Sequence, residues 1–170
     1  MKRLTLILLI FGSYNLFGQN FNFDKFGKII WQCTYTTDMT SLDLHKSLCT
    51  SSYLEYVEKI DDTFYYARLK RNSVDYEILG HSRMKLPVYI SNNDVGNATV
   101  IIQYKEGKYR VTLKSIALLP IDPRFGYTLL HDVATGEDGY FTSVFMETTG
   151  FIYHENFKKW FDFEKVSNDW

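Results

Sequence analysis

Cysteine is scarce. Only Cys33 and Cys49 occur in 170 residues, and they form neither a CxxC pair nor a cluster with the four scattered histidines, so the closely spaced ligands of a structural zinc site are missing. Proline is almost as rare, with three residues, and no Pro-, Ser- or Gly-rich tract marks a linker. Neither charge sign is in excess: 19 Lys and Arg face 20 Asp and Glu, a formal net charge of -1 at pH 7. No overall field therefore steers the chain toward nucleic acid, which is not expected as a partner. Phosphate-cradling stretches of the GxGxxG type or of GxxxxGK followed by Ser or Thr are absent, and no cofactor is expected. The longest apolar run is under half of the ~20 residues that a membrane-spanning helix needs. What is plentiful is aromatic side chain: 13 Tyr and 13 Phe in a chain that is 45% hydrophobic and 23% charged, a globular composition tilted toward strand.

The N-terminus carries Lys2 and Arg3, then the short apolar run Leu4 to Phe11, ending at Gly12 and Ser13. That order and length are those of a secretory signal. Gly18 supplies a small residue for cleavage before Gln19, although Leu16 is large for the other recognition position, and no cysteine follows the cut to carry a lipid. Residues 1–18 are expected to be removed as a signal peptide, leaving 19–170 as a single domain of about 150 residues, enough for one core. The expected location is periplasmic or secreted, with no transmembrane span in the mature chain. In an oxidising compartment Cys33 and Cys49 are candidates for a disulfide closing a loop of about 15 residues, worth roughly 3 kcal/mol in the chain-entropy model if their Cα atoms approach within about 7 Å.

Ile29 to Thr36 alternates Trp31, Cys33 and Tyr35 with Gln32, Thr34 and Thr36, the period of a half-buried strand. Thr40-Ser41-Leu42-Asp43 fits a capping box, with Leu44 and Leu48 one turn apart in the helix that follows. Leu54 to Ile60 and Thr63 to Lys70 flank Asp61-Asp62 as a hairpin. Met84 to Ile90 reads as an edge strand because Pro87 cannot donate to a ladder, and Ser91 to Asn97 as a loop. The clearest hairpin joins Thr99–Lys105 to Lys108–Leu118 through Glu106-Gly107. A short strand is expected near Tyr140 to Met146. At the C-terminus Tyr153, Phe157, Trp160, Phe161 and Glu164 recur at helical spacing, predicting a helix whose aromatic face packs on the sheet. The fold class is α+β: an antiparallel sheet with one helix after the first strand and a C-terminal helix packed on it.

This order of elements, and the hairpin Tyr104-Lys105-Glu106-Gly107-Lys108-Tyr109-Arg110, resemble a family of exported Bacteroidetes domains of unknown function with a TATA-binding-protein-like (TBP-like) fold. The end of the leader, Phe17-Gly18-Gln19, is similar to signals common in that phylum. The resemblance covers about Ile29 to Leu119 and departs in the glycine-punctuated stretch from Ile121 to Gly150. It implies a fold and a compartment, carries no catalytic residues, and does not bring the DNA-binding function of the TBP fold with it.

Local catalytic signatures are weak. Gly80-His81-Ser82-Arg83-Met84 lacks the second glycine of a nucleophile elbow, and Asp132 to Gly139 lacks the ligand spacing of a calcium loop. No catalytic residue and no metal ligand is expected. The remaining signal is basic: strand alternation places Lys105, Lys108, Arg110 and Lys114 opposite the apolar set, with Arg68 and Lys70 extending them. A wet outer face explains that pattern, as does an anionic partner such as lipid head groups, polyanionic glycan or an acidic protein. The sequence thus reads as a non-catalytic binding or interaction module of the cell envelope. The alternative is an envelope hydrolase whose site assembles from distant residues. Intact-mass measurement of the exported protein should place its N-terminus close to Gln19; recovery of full-length chain from the membrane fraction would reject the leader.

Overall fold

The computed structural model describes residues 20–166, so the expected leader lies outside the described residues. A six-stranded antiparallel sheet forms the body, in the order β1-β2-β7-β6-β4-β3. Its strands are β1 (Phe21–Phe23), β2 (Ile29–Thr36), β3 (Leu54–Lys59), β4 (Phe64–Leu69), β6 (Thr99–Lys105) and β7 (Lys108–Lys114). A smaller sheet pairs β5 (Asn93–Gly96), β8 (Ala117–Pro120) and β9 (Thr128–Leu129) in the order β5-β8-β9. The helices are α1 (Ser41–Thr50), α2 (Val88–Ser91), α3 (Leu130–Ala134), α4 (Gly150–Trp160) and α5 (Phe163–Val166). The α+β class expected from the sequence is the one observed, and among the described residues no helix is long and apolar enough to cross a membrane.

Alternation sets the two faces of the large sheet. Register pairs Trp31 with Leu113, Leu113 with Val100 and Val100 with Ala67, so these side chains share one face with Cys33, Tyr35, Tyr65, Leu69, Ile102, Tyr109 and Val111. That face is the core. Helix α1 brings Leu44 and Leu48 onto it, and α4 brings Ile152, Tyr153, Phe157 and Trp160. Thr40 caps α1 as expected, its hydroxyl accepting from the Asp43 amide at 3.2 Å and donating to the Asp43 carboxylate at 2.7 Å. Trp31 lies edge-on to Phe157 at 5.4 Å and near Phe161 at 6.0 Å, while Tyr53 stacks on Trp160 at 5.9 Å.

Several polar groups in this core are tied to specific partners, whereas the buried Tyr153 hydroxyl has none among the described residues. The Trp31 indole N–H donates to His154 Nδ1 at 3.1 Å, and the Tyr109 hydroxyl donates to the Phe161 carbonyl at 2.7 Å while accepting from the Phe163 amide at 3.2 Å. Asn156 is buried and satisfied: its Oδ1 accepts from the Asp75 amide at 2.8 Å, and its Nδ2 donates to the carbonyls of Asp75 and Ile152. These bonds fasten the irregular segment after β4 to α4.

Four expected elements differ. Met84 to Ile90 is not a strand: a 3₁₀ turn at Arg83–Lys85 leads to Pro87, whose φ of -54° suits a helix start, and α2 follows. The expected loop from Ser91 holds β5, and the strand expected over Lys108–Leu118 breaks at Ser115, whose φ of 52° turns the chain out of the large sheet and into β8. Gly96 permits the β5–β8 approach, since a Cβ there would sit 2.8 Å from Leu119 Cδ1 and 3.0 Å from the Arg71 Cα. Near Tyr140 to Met146 there is a single bridge, Thr135 to Phe141, and then a π-helical turn over Phe145–Thr149 that runs into α4. Burying Phe145 against Phe21 at 5.0 Å and Phe141 at 5.2 Å outweighs the strand propensity of those aromatics. At the far edge, β3 carries a bulge between Glu55 and Glu58, with Tyr56 at a φ of 53°.

Two outcomes follow from the core. Trp160 is 4% exposed, so Trp160→Ala should cost about 3 to 5 kcal/mol in denaturant unfolding; a loss below about 0.5 kcal/mol would remove it from the core. His154 accepts at Nδ1 and is therefore neutral; burial holds its pKa below the ordinary value of 6.5, Glu155 opposes that and Lys158 adds to it. The unfolded chain takes up this proton first as pH falls, so the contribution is complete above about pH 6.5 and is lost as pH drops through the lower folded value. Denaturant midpoints should decline over that window in the parent protein and decline less in His154→Gln; equal slopes would refute the assignment.

Candidate functional site

The second face of the large sheet carries no buried aromatic. Its side chains form rows across β4, β6, β7 and β2, read from register: Arg68, Thr99, Lys114, Ile30; then Tyr66, Ile101, Thr112, Gln32; then Phe64, Gln103, Arg110, Thr34. Lys105 and Lys108 pair at the hairpin end, beside Gly107, whose φ of 79° makes the turn. Most of these residues are exposed; Thr112 is buried, held by the Gln32 side-chain amide at 2.8 Å.

The structure thus brings Arg68, Lys105, Lys108, Arg110 and Lys114 onto one face, as alternation predicted. Lys70 is set apart: it follows the end of β4, half-buried, with its amide bonded to the Tyr53 carbonyl. Arg68 is already engaged, donating to Glu55 at 2.6 Å and lying 4.4 Å from the centre of the Tyr56 ring. Among the described residues, Lys105, Lys108, Arg110 and Lys114 form no ion pair. Lys108 and Arg110 stand about 7 Å apart along β7, and Lys105 opposes Lys108 directly, an arrangement in which like charges repel.

Cys33 and Cys49, the candidates for a disulfide, are not bonded to each other, and both thiols are free. Cys33 is half-buried on the core face of β2, where burial pushes its thiol pKa up. Cys49 is exposed, because the step of about 100° from buried Leu48 turns it off the apolar stripe of α1. Its sulfur lies 3.5 Å from His45 Nε2, one helical turn away, and His45 stacks on Tyr65. This pair lines neither of the two cavities described below. His81 and Ser82 sit in a loop between 3₁₀ turns, and among the described residues no three His, Cys, Asp or Glu converge as metal ligands.

The larger cavity, about 720 Å³, was not legible in the sequence. It opens between α2 and the segment after β8 and is lined by Arg83, Val88, Tyr89, Asn92, Ile121 and Phe125 among others. No His, Cys, Ser or Lys lines it; Thr128 contributes a hydroxyl, and the Asp122 carboxylate is engaged by Arg124. A smaller cavity of about 120 Å³ lies beside Ile116, Leu130 and His131.

No family model matches the chain, and a search of curated proteins found no match. Among solved structures the chain is similar to a TBP-like protein from Parabacteroides distasonis, with 12% identity over 84% of this chain and 96% of that one and a TM-score of 0.48. It is also similar to a DUF4468 family protein from Bacteroides ovatus, with 12% identity over 88% of this chain and 90% of that one and a TM-score of 0.49. These names fall where the sequence resemblance pointed, a TBP-like fold in Bacteroidetes species. Neither name states a ligand or an activity.

Proposed function

We propose that this chain is an exported, non-catalytic binding module of the cell envelope that holds an anionic envelope component on the open face of its large sheet. The observation that carries the reading is the placement of Lys105, Lys108, Arg110 and Lys114 together on an uncovered face, with none of them in an ion pair among the described residues. Phe64 and Tyr66 beside them supply flat apolar surface, and Thr34, Thr36 and Gln103 supply hydrogen-bonding groups, a mixture suited to binding more than to bond breaking. A net charge of only -1 means that attraction comes from this local patch, so it is screened by salt over about 10 Å at 0.1 M. The hydrolase alternative would draw on Ser115 and His131, which line the smaller cavity, but among the described residues no hydrogen bond joins the two side chains.

Titration with dextran sulfate at rising NaCl tests the reading. Binding should weaken steadily with salt, and the triple variant Lys105→Glu, Lys108→Glu, Arg110→Glu should bind at least about tenfold more weakly while keeping the parent's melting temperature. Unchanged affinity in a folded triple variant would sink the assignment of this face.

A further inference from the structure

The larger cavity combines features that the open face does not. Val88 is 69% exposed, Ile121 54% and Phe125 66%, and the three meet in one trough instead of being scattered over the surface. The trough is built firmly. Tyr89 anchors one wall through its hydroxyl, 2.7 Å from Thr149 Oγ1. On the opposite wall Asp122 accepts from both the backbone amide and the guanidinium of Arg124 at 3.0 Å, fixing the turn that presents Phe125.

Arg83 stands in this lining as a cation without a counter-charge. Its Nε donates to the Ser91 carbonyl at 2.9 Å and its Nη2 to Asn92 Oδ1 at 3.2 Å, both neutral acceptors that orient the guanidinium and leave N–H groups over. Asp122, the carboxylate of the lining, is committed to Arg124, and among the described residues Arg83 forms no ion pair. The floor offers little to a peptide backbone: the Ile121 amide bonds the Asn92 carbonyl at 3.0 Å, and Asn93 is already paired with Pro120. A strand cannot add where the edge is satisfied.

We infer that this trough is a binding site for a single-chain acyl carboxylate, the hydrocarbon lying along Val88, Ile121 and Phe125 and the carboxylate on Arg83. The volume falls in the range of small-molecule sites, the apolar wall matches an unbranched chain, and the guanidinium fork matches a carboxylate. The inference is independent of the open face and of the partner it holds.

Calorimetric titration of the purified full chain with dodecanoate, kept below its micelle-forming concentration, should show saturable one-to-one binding. Dodecan-1-ol, which has the same chain and no charge, should bind about 10- to 100-fold more weakly, as expected for loss of a charge-assisted hydrogen bond. Arg83→Gln should lose the preference between the two, and Val88→Asp, at an exposed position, should lose both while retaining the parent's melting temperature. The triple variant of the open face should bind dodecanoate as the parent does. Equal affinity for acid and alcohol, retained binding in a folded Val88→Asp protein, or saturation only by an apolar acidic peptide would each overturn the assignment.

Discussion

Closure of α4 over Trp31 is the interaction on which the rest of the structure depends. A six-stranded sheet with one aromatic face is unstable in water until that face is covered, and α4 covers its middle with Phe157, Ile152 and Trp160 while presenting His154 to the indole N–H. The placement of α4 in turn positions the irregular segments. Asn156 holds the chain near Asp75, and Thr149, at the foot of α4, receives Tyr89. Both proposed binding surfaces are downstream of this contact: the sheet's outer face is open because the inner one takes the helices, and the trough has a fixed wall because Tyr89 is pinned to the π-helical turn.

Strand alternation made much of this legible. In β2, β6 and β7 a single residue step decides between core and solvent, so identifying Trp31 or Val111 as buried also assigned Thr34 and Arg110 to the opposite side. The same logic put Lys105, Lys108, Arg110 and Lys114 together without any knowledge of their neighbours. It failed where periodicity is lost. Nothing local in Lys108–Leu118 signals that Ser115 turns left-handed, and Asn93–Gly96 is a strand only because β8 lies beside it. Pro87 was read for its missing donor as part of an edge strand, whereas it stands as the N-cap of α2. The trough escaped for a related reason: its walls come from residues 83–93 and 120–128, brought together by the small sheet and by no pattern in either segment.

The two surfaces differ in how they spend charge. On the open face Lys105, Lys108 and Arg110 are exposed and Lys114 is half-buried, so each contributes little alone and the set would act through its field. In the trough one guanidinium is held by neutral acceptors beside apolar side chains, so a single oriented group would make the contact. The first arrangement suits a polyvalent, extended partner and the second a small one.

The bulge in β3 has a consequence for how any partner arrives. A regular outer strand leaves a ladder of unpaired amides and carbonyls that recruits further strands, including those of identical chains. Here the extra residue at the bulge, the left-handed Tyr56 and the charges of Glu55, Glu58 and Lys59 interrupt that ladder, and at the other end β1 is only three residues long. Neither rim is a template for growth. A sheet so bounded resists fibre-like stacking in a crowded compartment, and it leaves recognition to side chains, which are free to change without altering the backbone that carries them.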